Sequence, residues 1–159
     1  MIFVAVGTQK FQMNRLLIEI DNLISAGKID TDVFAQSGNC TYKPVGYKCT
    51  SFLTKQEFDE KINECELLIT HGGVGTIVSG LKQNKAVIVV PRLKKYKEHV
   101  DDHQLQIADS FAKLGYVLMC HDVEELSETI NKAETYAFKE YKSDRQKMLD
   151  YIDSYLAGS

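Results

Sequence analysis

Two glycine turns and one histidine are the residues of this sequence best suited to holding an anion. Gly7-Thr8-Gln9 follows the apolar run of residues 2–6, and His71-Gly72-Gly73-Val74-Gly75-Thr76 follows the run at 67–70. Glycine lets a backbone approach a phosphate closely, and threonine adds a hydroxyl donor. A helix that starts at such a turn presents unpaired N–H groups and the positive end of its dipole. Gly7 alone is equally explained as a tight strand-to-helix turn. Three glycines in four positions, flanked by His71 and Thr76, favour a ligand. No Gly-Lys-Ser/Thr follows, so this is not a P-loop. Counting G-x-G-x-x-G from Gly73 puts Val78 where the last glycine should stand, so the dinucleotide fingerprint is absent too. His71 has three roles open to it: a base, a donor to phosphate, or a residue that shapes the turn by bonding backbone.

A third segment runs from Pro91 through Arg92, Lys94, Lys95 and Lys97 to His99, then Asp102, His103 and Gln104. Its four cations could neutralise a diphosphate, form a solvated loop, or face a partner or anionic lipid. His99 and His103 are four residues apart, a spacing that can hold zinc. No third ligand and no H-E-x-x-H accompany them, so no metal site is expected. Gln104 offers an amide donor and an acceptor, which suits sugar hydroxyls, although a glutamine at a helix start is commonly just exposed.

The elements that must position these residues alternate between strand and helix. Residues 2–6, 33–35, 67–70, 86–90 and 116–120 read as strands, with residues 37–49 a loop carrying one short strand at most. Residues 13–26 carry Leu16, Leu17, Ile20 and Ile24 at helical spacing, with Gly27 as a stop. Thr54 and Glu57 form a capping box for a helix to Glu64, and Asp122 with Glu125 suggests a second. Helices are also expected over 76–84 and 101–114. Residues 138–156 read as a C-terminal amphipathic helix that either completes the core or docks a partner subunit. Such alternation implies an α/β fold, a doubly wound parallel sheet with helices on both faces. In such sheets ligands sit at the carboxyl ends of the strands.

Composition is consistent with one such domain. The chain has 159 residues, 44% of them hydrophobic and 26% charged, enough to bury a core. A net charge of −3 argues against bulk nucleic-acid affinity. Cys40, Cys49, Cys65 and Cys120 form no C-x-x-C pair, so neither a zinc site nor a disulfide framework is expected. The amino terminus lacks a basic region and reads as a first strand, and no apolar stretch is long enough to span a bilayer. The expected setting is the cytoplasm.

VGTQ near the start, THGGVGT in the middle and PRLKKYKEHVDDHQLQIA after it together resemble the C-terminal domain of family 28 glycosyltransferases. The chain is similar to small bacterial exopolysaccharide and capsule proteins that form half of a split enzyme, and to the catalytic subunits of eukaryotic split UDP-GlcNAc transferases. The resemblance covers residues 1–120 and is most specific over 71–108. It implies a Rossmann-like domain equivalent to the C-terminal half of a GT-B enzyme, binding a UDP-sugar with no bound metal or other cofactor. It also implies a membrane-anchored acceptor-domain subunit as partner, a lipid-linked acceptor sugar, and a peripheral place at the inner face of the membrane through that partner. Gly7, Thr8 and Gln9 would line the diphosphate, and Gly72, Gly73, Gly75 and Thr76 would approach the phosphates and ribose. Arg92 would lie beside the nucleotide, and Gln104 would contact donor sugar hydroxyls. His71 is the one local candidate for the base, which the resemblance otherwise places in the partner. Two departures stand out: Gly80 where family members carry a ribose-binding glutamate, and Leu105 in place of a second glutamine.

Overall fold

The computed structural model describes residues 1–98 and 103–141. In chain order the elements are β1 (Ile2–Ala5), α1 (Asn14–Ser25), β2 (Val33–Gln36), β3 (Lys48–Thr50), α2 (Lys55–Glu64), β4 (Leu67–Thr70), α3 (Val74–Lys82), β5 (Ala86–Val89), α4 (His103–Lys113), β6 (Leu118–Met119) and α5 (Leu126–Ala133). Single 3-10 turns occupy Lys94–Tyr96 and Val123–Glu125. The strands form one sheet in the order β3-β2-β1-β4-β5-β6 with every pairing parallel. This is the doubly wound, Rossmann-like sheet expected from the sequence.

The central strands are apolar apart from Thr70 at the end of β4, because both faces are covered,. Ile2, Val4 and Val6 pack with Leu16, Leu17 and Ile20 of α1 and Leu126 and Ile130 of α5. Phe3 and Ala5 point the other way, onto Ile62, Ile77 and Phe111 of α2, α3 and α4. Gly80 lets α3 close onto the sheet: a Cβ there would stand 2.7 Å from Leu68 Cδ2 and 3.1 Å from Val87 Cγ2.

Helix ends follow their sequence signals where these are local. Gly27 adopts φ +72, and the N–H groups of Gly27 and Lys28 bond the carbonyls of Ile24 and Leu23, the paired bonds of a glycine-terminated helix. The Thr54–Glu57 capping box forms. The second expected box does not: Asp122 opens a 3-10 turn and its side chain makes no cap bond. Helix α3 starts at Val74, two residues earlier than the pattern suggested, because Gly73 already takes the N-cap position. The expected helix over 138–156 is corrected at its start. Residues 138–141 are not helical; they run across the α4–β6 turn, where Lys139 N bonds Gly115 O and Tyr141 meets Tyr116 edge-on. The remainder of that segment, 142–156, lies outside the described residues. All four cysteines are free thiols, with Cys65 and Cys120 buried. Among the described residues no helix is long and apolar enough to cross a membrane.

The strand order has one consequence for chemistry. Chain direction across the sheet reverses between β1 and β4, whose registers match Ala5 to Thr70. Their loops therefore leave the carboxyl edge side by side, at the switch point where such sheets bind ligands.

Candidate functional site

Thr70 and His71 close β4 onto β1. The Thr70 hydroxyl donates to Ala5 O at 3.0 Å, and His71 Nδ1 lies 3.1 Å from the same carbonyl. A carbonyl can only accept, so this contact places a proton on Nδ1 and turns Nε2 the other way. His71 is 5% exposed. A Cβ on Gly7 would lie 2.6 Å from Nε2, and so would a Cβ on Gly73. The two glycine turns thus meet across one imidazole nitrogen. Gly7 (φ +81) and Gly72 (φ +97) also hold backbone angles that favour glycine,.

Gly73 is the N-cap of α3 and no side chain caps it. The first-turn N–H groups of Val74, Gly75 and Thr76 lack intrahelical acceptors by helix geometry and point to the carboxyl edge with the positive end of the dipole. Thr8, Gln9 and Gly75 are exposed there, and Gly7, Gly73 and Thr76 are half-buried. Seven of the expected binding residues are therefore brought together: Gly7, Thr8, Gln9, Gly72, Gly73, Gly75 and Thr76. The arrangement can hold a dianionic group between two N–H-presenting turns, as anion sites at helix starts do.

Three expectations need restating. Arg92 does not line the site. Its side chain is fully buried and donates to the carbonyls of Phe11 at 2.7 Å, Gln12 and Glu98 at 3.3 Å each, and Val6. Burial pushes its pKa below the ordinary arginine value, with nearby Glu98 among the groups opposing that, yet a guanidinium keeps its charge in proteins. His71 is placed as the residue that shapes the turns; with Nδ1 on Ala5 O and little exposure, its geometry supports that role over the base. Gly80 faces the sheet, so a glutamate at that position would collide with Leu68 instead of reaching a ribose. Gln104 sits in the first turn of α4 with its side chain outside what is described, and His99 and Asp102 lie outside the described residues. Lys95 and Lys97 are exposed, and Lys95 Nζ lies 4.9 Å from the Tyr96 ring centre.

No local pattern marks the residues that hold the first loop. Gln36, at the end of β2, donates to Gly7 O at 3.0 Å and to Ser51 O at 2.8 Å. Asn39 Nδ2 donates to Gln9 O at 2.7 Å. Gly38 (φ +55) packs so closely that a Cβ would fall on Gly7 O. On the other side Arg15 forms a two-pronged ion pair with buried Glu98, at 2.7 and 3.0 Å, and donates to Pro91 O. Residues 37–49 were legible as a loop, but only the strand order sets Gly38 and Asn39 beside the Gly7 turn.

The glycosyltransferase family 28 C-terminal domain matches the chain over residues 1–154. The UDP-N-acetylglucosamine transferase subunit ALG13 of Candida albicans is 31% identical over 90 residues, covering 57% of this chain and 29% of that protein. The chain thus spans less than a third of that relative. A solution structure of ALG13 aligns with a TM-score of 0.62 at 20% identity, covering 95% of this chain and 94% of that one. The glycosyltransferase VinC, solved in complex with dTDP, aligns with a TM-score of 0.54 at 15% identity, covering 98% of this chain and 37% of that one. At these identities the structures establish the fold, a Rossmann-like domain of the GT-B kind. With two anion-ready turns at the switch point of that fold and a match over nearly its whole length, the chain belongs to the glycosyltransferase family 28 C-terminal domain family.

Proposed function

We propose that this chain is the donor-binding subunit of a two-chain inverting glycosyltransferase that transfers a hexose or N-acetylhexosamine from a UDP-sugar to a lipid-linked acceptor in polysaccharide synthesis. The observation that carries the reading is the meeting of the Gly7 and Gly73 turns on His71 at the switch point. A diphosphate seated there accepts N–H bonds from both turns and lies at the positive end of α3. The names of the ALG13 relatives support uridine and N-acetylglucosamine as donor components, and the dTDP complex of VinC supports a nucleoside diphosphate in this fold.

In the transfer, an acceptor hydroxyl attacks the anomeric carbon as the bond to the diphosphate oxygen breaks, and UDP leaves with its electron pair. The chain's part is to stabilise the charge that grows on the departing diphosphate, through groups fixed before the reaction. We assign the base that takes the hydroxyl proton to the acceptor side, since His71 is held on Ala5 O beneath the turns,. That side is a membrane-anchored partner subunit, and it holds this chain at the cytoplasmic face of the membrane. The UDP-sugar is the one small molecule the reading requires, with no metal or other cofactor.

Titration calorimetry with UDP and UDP-N-acetylglucosamine tests the binding step. Saturable binding to the isolated chain supports the proposal, and no heat above buffer dilution rejects it. A second reading, a non-catalytic nucleotide-binding subunit that stimulates its partner, is favoured by the lack of room for a ribose carboxylate at Gly80. Transfer assays with the partner and a lipid-linked sugar separate the two. Under the first reading, loss of UDP binding in this chain abolishes transfer; under the second it leaves the partner's basal transfer intact.

A further inference from the structure

Arg92 is the largest fully buried side chain among the described residues, and an unpaired guanidinium inside a protein is costly. Its partners show what offsets that cost. Val6, Phe11 and Gln12 are the two ends of the loop from β1 to α1, and one guanidinium bonds carbonyls at both ends. Between those ends stand Gly7, Thr8 and Gln9. From β2 and the turn after it, Gln36 takes Gly7 O and Asn39 takes Gln9 O. Every one of these bonds goes to a carbonyl oxygen, the backbone group that repels an anion. In a trans peptide the next residue's N–H points opposite to the carbonyl. Pulling back the carbonyls of Val6, Gly7 and Gln9 therefore aims the N–H groups of Gly7, Thr8 and Lys10 away from the donors that hold them. Backbone concavities that present successive N–H groups bind anions.

A second tier keeps Arg92 in place. The backbone carbonyl of Glu98 accepts from Arg92, while its carboxylate takes Arg15 in a fork and the Leu93 N–H at 3.0 Å. The segment 91–98 is thereby tied to α1, and the guanidinium has little freedom to turn outward. Its contacts and burial rule out direct contact with a ligand in this arrangement.

We propose that Arg92 is a positioning residue that gives the site its preference for a nucleoside diphosphate over a monophosphate. This rests on the reading of the two turns as a diphosphate cradle. The α3 turn is built on β4 and takes from Arg92 only its backbone N–H, on His71 O at 3.3 Å, which a side-chain substitution leaves in place, so it can hold one phosphate without the guanidinium. The 7–9 loop supplies the second set of donors only while Arg92 spans it. The fork matters as well as the charge: Arg92 reaches Phe11 O and Val6 O from two nitrogens, whereas a lysine keeps the cation but offers its donors from a single nitrogen on a shorter side chain, without the planar fork that spans both ends of the loop.

The test is Arg92→Lys in the full chain, with dissociation constants for UDP and UMP from calorimetry and amide hydrogen exchange in the free protein. The expected result is a tenfold or greater loss of UDP affinity with UMP affinity nearly unchanged. Faster exchange should be confined to residues 7–12 while β4 and α3 keep their protection. An unchanged UDP-to-UMP ratio overturns the proposal. So does an equal loss for both nucleotides with faster exchange throughout the sheet, the pattern of a merely structural residue. Should the variant fail to fold, the wild-type chain decides by reciprocity: UDP should slow exchange of the Arg92 guanidinium protons more than UMP does, and equal effects reject the role. A wild-type chain that binds neither nucleotide sinks the diphosphate cradle and, with it, the preference; the exchange pattern of Arg92→Lys then shows separately whether Arg92 orders the loop.

Discussion

Replacing Gly73 with alanine isolates the feature on which the site depends. Its backbone angles, φ −67 and ψ 128, suit any residue, so the added methyl meets only its surroundings. Those are His71 Nε2 at 2.6 Å and Cε1 at 2.9 Å. Carbon contacts settle near about 3.5 Å, so the ring or the turn must give by nearly an ångström. The ring has little room, being buried and held to Ala5 O at 3.1 Å, so the turn moves. Overpacking of this kind costs about 1–3 kcal/mol, and the entropy that alanine removes from the unfolded chain returns about 0.4–1 kcal/mol. The net loss of stability should be about 1–2 kcal/mol in urea unfolding. Displacing the first N–H groups of α3 should cost at least one charge-assisted bond, about 1.5–3 kcal/mol, or roughly 10–100-fold in the UDP dissociation constant. The double variant Gly73→Ala/His71→Ala removes the obstacle, so the pair should couple by about 1 kcal/mol or more. Gly75→Ala is the control: nothing stands within 4 Å of its Cβ, and a helical glycine-to-alanine change should be neutral or stabilise by about 0.5–1 kcal/mol. Additivity of Gly73→Ala with His71→Ala, or a Gly73→Ala chain as stable and as tight for UDP as wild type, would refute the wedge.

Two further outcomes follow from packing and charge. Gly80→Ala should lower stability by about 1–3 kcal/mol through Leu68 and Val87,, with the UDP affinity of the folded chain unchanged. A Gly80→Glu chain that folds and binds UDP more tightly than wild type would show that α3 can admit a ribose carboxylate after all. Asp21, buried on α1, accepts bonds from the Tyr42 hydroxyl at 2.6 Å, Val45 N at 2.9 Å and Gly46 N at 2.8 Å. Burial pushes its pKa up, but these bonds favour the ionised form and together bring it below the ordinary 3.8,. A folded value below the unfolded one means stabilisation that is complete above about pH 4 and lost as the pH falls through the folded value. Asp21→Asn should therefore cost about 1 kcal/mol at pH 7, a low figure because its partners Val45 and Gly46 are exposed and water screens that side,, and progressively less below pH 4. An equal gap between variant and wild type at pH 7 and pH 3 in urea melts would contradict this.

What the sequence could reveal divides along the range of the contacts involved. The strands at Ile2–Ala5, Leu67–Thr70 and Ala86–Val89 were legible because burial on both faces leaves an unbroken apolar run. Gly27 and the Thr54–Glu57 box were legible because a helix end is settled within a few residues. The two glycine turns were legible for the same reason, since glycine content and the following helix are local. Arg92 was misread because its cationic neighbours suggest a surface loop, whereas its partners lie about 80 residues away. The roles of Gln36 and Asn39 depend on β2 lying beside β1, which no local pattern encodes. Gly80 was legible only as an expected departure from a family pattern, and the packing of α3 on Leu68 shows why a side chain is excluded there. Phe138 and Tyr141 fitted a helical spacing, yet they lie in a non-helical segment, with Phe138 on the core and Tyr141 against Tyr116.

The central claim is that two turns, distant in sequence, grip one diphosphate. Nitrogen-15 NMR titration with UDP addresses it residue by residue. The amides of Gly7, Thr8 and Gln9 and those of Gly73, Val74, Gly75 and Thr76 should shift together along one saturation curve. Shifts confined to one of the two turns, or centred on the opposite, amino-terminal edge of the sheet, would contradict it.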